Sequence, residues 1–319
     1  MAAATDTLEA RNLKSKRHLA REIHHNWQSY LLLLPACLYV FVYGYCTLPY
    51  ALIAFKDYNY RDGLLGSPWN GFDNFRFFFN STDVWNVTWN TVKLNALFLV
   101  FTLGCAVLLA IMLNELHCRR YKKLSQTIMI LPNLLSWVVI SYVVYGILGY
   151  QYGYLNATLK SLGGAAKNWY NMPEIWTFVL VLVRVWQGSG YNMVVFLAAL
   201  TGMDDSISEA ALIDGATRLQ RIWYITLPLL LPTICIMALM SIGRIFNGDF
   251  GMIYALVGDN GILLPYVDVI DTYVYRMLRQ LGEPSWATAV GLWQSLMGFI
   301  MIFASNWIVR RKFADGALF

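Results

Sequence analysis

From Tyr30 to Phe55 the chain runs 26 residues without an Asp, Glu, Lys or Arg. A helix crosses the hydrocarbon core of a bilayer with about 20 apolar residues, so this run is long enough to span it. Lipid offers no partner to backbone N–H and C=O groups, so the run has to be helical. The polar stretch 1–27 before it carries Arg11, Lys14, Lys16, Arg17 and Arg21, and resembles the basic end of a signal peptide only superficially. The apolar run far exceeds the roughly 7–15 residues of a signal core and lacks a small-x-small cleavage site. It is expected to stay as a first transmembrane helix.

Hydropathy places five further helices at about 90–116, 125–148, 173–200, 227–256 and 286–309. The fold class read from this pattern is an all-α integral membrane protein with six transmembrane helices. Composition agrees: 58% of residues are hydrophobic and 13% charged, where soluble domains carry about 25% charge. No large soluble catalytic domain fits beside six spans. Six spans return both termini to one side, and basic residues choose the side. Fourteen Lys and Arg fall in the N-terminal tail, the 117–124 turn, the 201–226 loop and the C-terminus, seven in the other loops, and Lys93, Arg184 and Arg244 within spans. The positive-inside rule then puts both termini in the cytoplasm. Trp69, Trp85, Trp89, Trp169, Tyr170 and Trp176 crowd the opposite helix ends, where amphipathic rings favour the headgroup level. The expected layout is a cytoplasmic tail over 1–27, a six-helix domain over 28–312 and a cytoplasmic tail over 313–319.

Several function classes drop out. The five cysteines, Cys37, Cys46, Cys105, Cys118 and Cys235, form no CxxC pair, and the four histidines stand apart from cysteines and acidic clusters, so neither a disulfide framework nor a metal site is expected. A net charge of +5 is accounted for by residues that orient helices, without nucleic acid. Asn80, Asn86 and Asn156 begin N-x-S/T triplets, which arise too often by chance to carry weight.

The stretch from Asp204 to Pro228 is the most informative. Ser206 and Glu209 have the S-x-x-E spacing of a capping box, predicting a short helix that starts there. Asp204 and Asp205 add negative charge at its positive end, and Gly215 suits a left-handed stop. A second helical stretch, Thr217 to Tyr224, leads to Pro228 in the first turn of the fifth span. Ile207, Leu212 and Ile213 give the capped helix an apolar face beside slim Ala210 and Ala211. On physical grounds it could equally lie in a groove of another protein or rest on lipid headgroups.

The order Glu-Ala-Ala, three residues, Gly, nine residues, Ile-x-Leu-Pro is met without a gap from Glu209 to Pro228. It resembles the EAA loop of permease subunits of binding-protein-dependent ABC importers. Asn90-Thr91, Leu113-Asn114, Leu131-Pro132, Ser136, Gly153-Tyr154-Leu155-Asn156 and Phe196-Leu197-Ala198-Ala199-Leu200 extend the resemblance over residues 28 to about 312. Ala54-Phe55-Lys56-Asp57-Tyr58, Asp271-Thr272-Tyr273-Val274-Tyr275-Arg276 and the terminal Leu318-Phe319 are similar to oligosaccharide and polysaccharide permeases of the LplB type, including alginate importers. Gly258-Asp259-Asn260 stands where many sugar permeases have Gly-Gly-Pro, a departure from the maltose-type branch. The resemblance implies the type I importer (MetI-like) permease fold, with a cytoplasmic EAA coupling helix whose docking positions are Glu209, Ala210, Ala211 and Gly215. It also implies a second homologous permease subunit, two cytoplasmic ABC ATPase subunits, and an extracytoplasmic sugar-binding protein at the loops 56–89, 149–172 and 257–285, in a bacterial cytoplasmic membrane. No G-x-x-x-x-G-K-[ST] occurs in the chain, so no cofactor is expected on it. ATP and Mg belong to the partner ATPase.

Ionisable residues at membrane depth cost about 2.5–3.5 kcal/mol each on insertion scales and usually face a cavity. Arg184, Gln187, Tyr191 and Asn192 follow at helical spacings in the fourth span, with Gly188 and Gly190 expected to loosen the backbone. Arg244, Asn247 and Asp249 fall in the outer half of the fifth, and Trp293 and Gln294 about a third of the way down the sixth. Aromatic faces beside amides and charges suit pyranose rings, although Arg184 paired to Asp249 and tryptophans used for packing are the plainer alternatives. Two buried arginines against one aspartate favour an anionic carbohydrate such as a uronate-containing oligosaccharide. A self-sufficient secondary sugar transporter would show repeated halves with broken midplane helices, and a membrane-embedded enzyme a catalytic constellation. The sequence carries neither signature.

Overall fold

A computed structural model describes residues 25–116 and 118–312; the expectations for residues 1–24 and for the 313–319 tail lie outside these. The described residues form helices joined by turns and loops, with one isolated antiparallel bridge between Lys56 and Trp69. Five helices are long and apolar enough to cross a membrane, and six when a bent pair counts as one span. The spans are α1 at Trp27–Val40, which continues as a π turn to Tyr45 and a 3-10 helix to Phe55, α2 at Thr82–Asn114, the pair α3 at Arg119–Ile130 and α4 at Trp137–Leu148, and α5 at Pro173–Thr201. After the short helices α6 at Asp205–Ile213 and α7 at Arg218–Arg221 come α8 at Leu227–Ile242, α9 at Phe250–Val257, α10 at Ile270–Arg279 and α11 at Pro284–Lys312.

Three of the expected boundaries change. The second span starts at Thr82, capped by the Ser81 side chain, not near residue 90. The third is bent by 97° between the 3-10 turn at Leu131–Leu134 and α4, because Pro132 cannot continue an α-helix and Ser136 recaps the chain by accepting from the Val139 amide at 3.4 Å. The fifth ends early: the helical run Arg218–Ile242 is itself long and apolar enough to cross, a break of non-helical backbone follows it, and α9 begins only at Phe250. Arg244, Asn247 and Asp249 therefore lie in the break and not on a helix.

The bundle is organised around α2 and α5, which pack along each other. Lipid tails are as apolar as Leu, so burial alone drives helices together little, and close packing of small residues has to contribute. Ala106 and Ala110, one turn apart on α2, are fully buried in a cluster with Met193, Phe196 and Leu197 of α5. Gly190 is where the bent third span comes closest: a Cβ there would stand 1.7 Å from the Met129 carbonyl oxygen. The glycines of α5 were expected to loosen it, yet the helix runs unbroken, and Gly190 serves a close crossing instead. A second cluster joins Leu94 and Phe98 of α2 to Trp176, Leu180 and Met252, and a third joins Phe78 and Val84 to Ile270, Tyr273 and Met277 of α10. Those last three, at i, i+3 and i+7, form the inward stripe of an amphipathic helix.

Candidate functional site

Between the first two clusters lies a cavity of about 650 Å³. One wall is α2, with Asn95, Phe98 and Thr102; another is α5, with Arg184 and Asn192; the third is the end of α8 and the break after it, with Ser241, Arg244, Asn247, Gly248 and Asp249. Of the nine residues marked for the cargo path, Arg184, Asn192, Arg244, Asn247 and Asp249 are gathered here. The other four stand elsewhere. Gln187 is buried, Tyr191 is 59% exposed and away from the cavity, Trp293 packs against Phe78, Phe79 and Phe246, and the Gln294 amide is engaged with the backbone of the break.

The break is held bond by bond. Non-helical backbone is tolerated at membrane depth only where protein or cavity water satisfies its polar groups. Asn95 Nδ2 donates to the carbonyls of Ile245 and Asn247 at 2.9 and 3.0 Å. Gln294 Nε2 donates to the Phe246 carbonyl at 2.8 Å and to Asp271 Oδ2 at 3.0 Å, and the same carboxylate oxygen accepts from the Gly248 amide. Asp249 closes the break as the N-cap of α9, its Oδ1 accepting from the Met252 amide at 3.0 Å. Burial raises the Asp271 pKa above the ordinary carboxylate value.

Arg184 Nη1 donates to Asp249 Oδ2 at 3.0 Å, and its guanidinium lies 5.7 Å from the ring centre of Trp137, the first residue after the bend of the third span. Arg244 is exposed and makes no side-chain bond among the described residues. With Arg184 and Asp249 neutralising each other, the cavity keeps one uncompensated positive charge, that of Arg244. Asn95, Thr102 and Trp137 were missed from the sequence. Asn95 and Thr102 had a legible signal, two polar residues seven apart and so on one face of an apolar helix.

At the far end of α5, α6 is the helix expected in the EAA loop, but it begins earlier than the S-x-x-E spacing indicated. Its N-cap is Asp204, whose Oδ1 accepts from the Ser206 amide at 2.9 Å. That bond holds the carboxyl below its usual pKa. Ser206 and Glu209 form no capping box; Ser206 lies inside the first turn. The box occurs instead at Thr217 and Gln220, starting α7. Gly215 ends the α6 turn with φ of +80°, as its position suggested. Glu209 and Ala210 are exposed on α6 and Ala211 is half-buried. The loop is tied back to the bundle by Arg218 Nε to Glu115 Oε2 at 2.7 Å, and within itself by Arg221 Nη1 to Ser208 Oγ at 3.1 Å.

At the opposite end, the family-like motifs hold loops. Asn156 is fully buried; its Nδ2 donates to the carbonyls of Gly149, Tyr150 and Lys167, and its Oδ1 accepts from the Lys167 amide and Trp169 Nε1. Its N-x-T triplet is therefore structural. Thr91 Oγ1 accepts from the Ile270 amide at 2.9 Å, and Asn90 Nδ2 donates to the Pro265 carbonyl at 3.1 Å, so α2 carries the segment that leads into α10.

A non-helical break after the fifth span, lining a polar cavity between apolar helices, with a capped helix projecting beyond the bundle, defines a membrane permease. The model of the family described as binding-protein-dependent transport system inner membrane component matches residues 69–313, and the chain belongs to that family: it is the membrane-spanning permease component of an ABC importer. Protein LplB of Bacillus subtilis (strain 168) is 36% identical over 91% of this chain and 90% of its own length. The polygalacturonan/rhamnogalacturonan transport system permease protein YteP of the same organism is 31% identical over 99% and 97%. Among solved structures, a bacterial ABC transporter involved in the import of the acidic polysaccharide alginate superimposes with a TM-score of 0.83 at 30% identity, covering 93% of this chain and 99% of that one. The alginate transporter in complex with an alginate pentasaccharide-bound periplasmic protein superimposes with a TM-score of 0.81 over 91% and 96%.

Proposed function

We propose that the chain imports an anionic, uronate-containing oligosaccharide or polysaccharide, with the cavity at the fifth-span break as its part of the cargo path. The observation that carries this reading is Arg244, exposed to the cavity and free of any anionic partner among the described residues. A guanidinium binds a carboxylate bidentately and strongly where water is scarce, and the amides of Asn192 and Asn247 beside it suit hydroxyls. Support comes from relatives whose names specify polygalacturonan/rhamnogalacturonan and the acidic polysaccharide alginate.

The working unit in this reading contains a second homologous permease, two cytoplasmic ABC ATPases that use ATP and Mg, and an extracytoplasmic sugar-binding protein, all in a bacterial cytoplasmic membrane with α6 and both termini inside. The periplasmic protein in the alginate transporter complex supports the last partner. Glu209, Ala210, Ala211 and Gly215 dock in the ATPase and transmit its closure; this chain binds no nucleotide itself. The complete complex in proteoliposomes, loaded with binding protein and ATP, is offered tetragalacturonate and maltotetraose. Preferential uptake of the acidic sugar, lost in Arg244→Ala, is the expected result; equal uptake of both by the wild type contradicts the anionic reading. Uptake by this chain alone under an ion gradient favours a secondary transporter.

A further inference from the structure

The sequence stretch Asp271 to Arg276 resembles a family motif, yet none of its residues lines the cavity, and its first residue reaches the break from α10. We propose that Asp271 is a positioning residue for cargo: its carboxylate oxygen, with Gln294, fixes the non-helical segment 243–249 in the conformation that presents Arg244 and Asn247 to the cavity. The inference rests on the cavity being the cargo path.

The geometry leaves the segment few other supports. Asp271 Oδ2 accepts both the Gly248 amide and Gln294 Nε2, and Gln294 continues to the Phe246 carbonyl. One oxygen of α10 thus couples two consecutive stretches of the break to α11. Asn95 holds Ile245 and Asn247 from the opposite side, and Asp249 at the end of the segment is held by Arg184 and by the Met252 amide, so loss of Asp271 frees one flank while α2 and α5 keep the others. Behind Asp271 the α10 helix is itself fixed: Arg276 pairs with Asp268, and Thr272 Oγ1 donates to Asp268. Rings of Tyr275, Phe250 and Tyr254 meet at centre distances of 5.0 to 5.2 Å, tying α10 to the helix after the break.

Both bonds end on the same oxygen, so an acceptor is needed there and a charge is not. Asn at this position can place its amide oxygen in the same spot, whereas Ala cannot.

The test uses the complete transport complex in proteoliposomes, with tetragalacturonate-loaded binding protein as probe and ATPase stimulation and uptake as readouts. Asp271→Ala is expected to raise the concentration for half-maximal stimulation about tenfold with basal ATPase unchanged, and Asp271→Asn to stay within about twofold of wild type. Gln294→Met, which keeps the volume and removes both donated bonds, should shift in the same direction as Asp271→Ala and serves if that variant fails to assemble. Half-saturation unchanged in Asp271→Ala or, failing its assembly, in Gln294→Met overturns the proposal, as does an equal shift in Asp271→Asn. Asn247→Ala separates the two readings. If it impairs uptake while Asp271→Ala does not, the positioning role falls and the cargo path stands; if neither variant matters, both fall.

Discussion

Arg184 Nη1 and Asp249 Oδ2 lie 3.0 Å apart, joining the middle of α5 to the residue that both ends the fifth-span break and caps α9. The side chains are 34% and 26% exposed, so the pair sits between a surface bridge and a buried one. It should couple by about 1–2 kcal/mol, above exposed pairs and below the 3–5 kcal/mol lost when a fully buried pair is broken. A double-mutant cycle of Arg184→Met and Asp249→Asn, read by thermal unfolding in detergent, measures it. Because Asn still caps the Met252 amide, Asp249→Asn isolates the ion pair. Additive effects of the two changes would show that the pair is not coupled.

Gly190 should tolerate no side chain. The obstacle to a Cβ is the Met129 backbone carbonyl at 1.7 Å, which cannot rotate away, whereas at Gly188 it is the Thr102 methyl at 3.2 Å. Gly190→Ala is expected to cost at least about 2 kcal/mol and Gly188→Ala under about 1 kcal/mol. Unfolding temperatures of the two variants in one detergent check the order. Equal losses would mean that α3 and α5 cross less closely.

Asn156→Ala should loosen the 149–169 loop without touching transport chemistry. It removes an amide that holds the stretch 149–169 at both ends, and the groups left unsatisfied cost about 1–3 kcal/mol each. Limited proteolysis is expected to cut within 149–169 at least several-fold faster than in wild type. An unchanged digestion pattern would contradict the organising role.

Changing Glu209 to Ala together with Gly215 to Val should abolish cargo-stimulated ATP hydrolysis while the chain still inserts. A β-branched residue at φ of +80° costs roughly 1–2 kcal/mol and misdirects the end of α6. Stimulated ATPase and membrane content are measured together on the complete complex. Undiminished stimulation at normal content would remove α6 from the coupling path.

Much of this architecture is legible in residue order, and where it is not the reasons are specific. Apolar runs reveal how many spans exist because lipid demands length and hydrophobicity. The same runs conceal breaks, since a hydropathy window averages Gly243, Arg244, Asn247, Gly248 and Asp249 with the apolar residues on either side. That cluster of glycines and polar residues was the signal for the break. Pro132 and Ser136 marked the bend of the third span in the same way, but no local rule sets its 97°. The capping residue of α6 was misassigned because Asp204 and Ser206 both have capping chemistry, and tertiary ties such as Arg218 to Glu115 are invisible locally. Arg184, Asn192, Arg244, Asn247 and Asp249 converge because charge at membrane depth has few places to go. Gln294 and Asp271 support the backbone from distant segments, a role that only the fold displays.

The most direct test of the account is ATP-driven uptake of labelled tetragalacturonate by the complete complex in proteoliposomes, wild type against Arg244→Ala, with maltotetraose as the neutral control. The account predicts accumulation of the acidic sugar over the neutral one, reduced at least tenfold by Arg244→Ala with basal ATPase unchanged. Equal accumulation of acidic and neutral sugars, or full activity in Arg244→Ala, would contradict it.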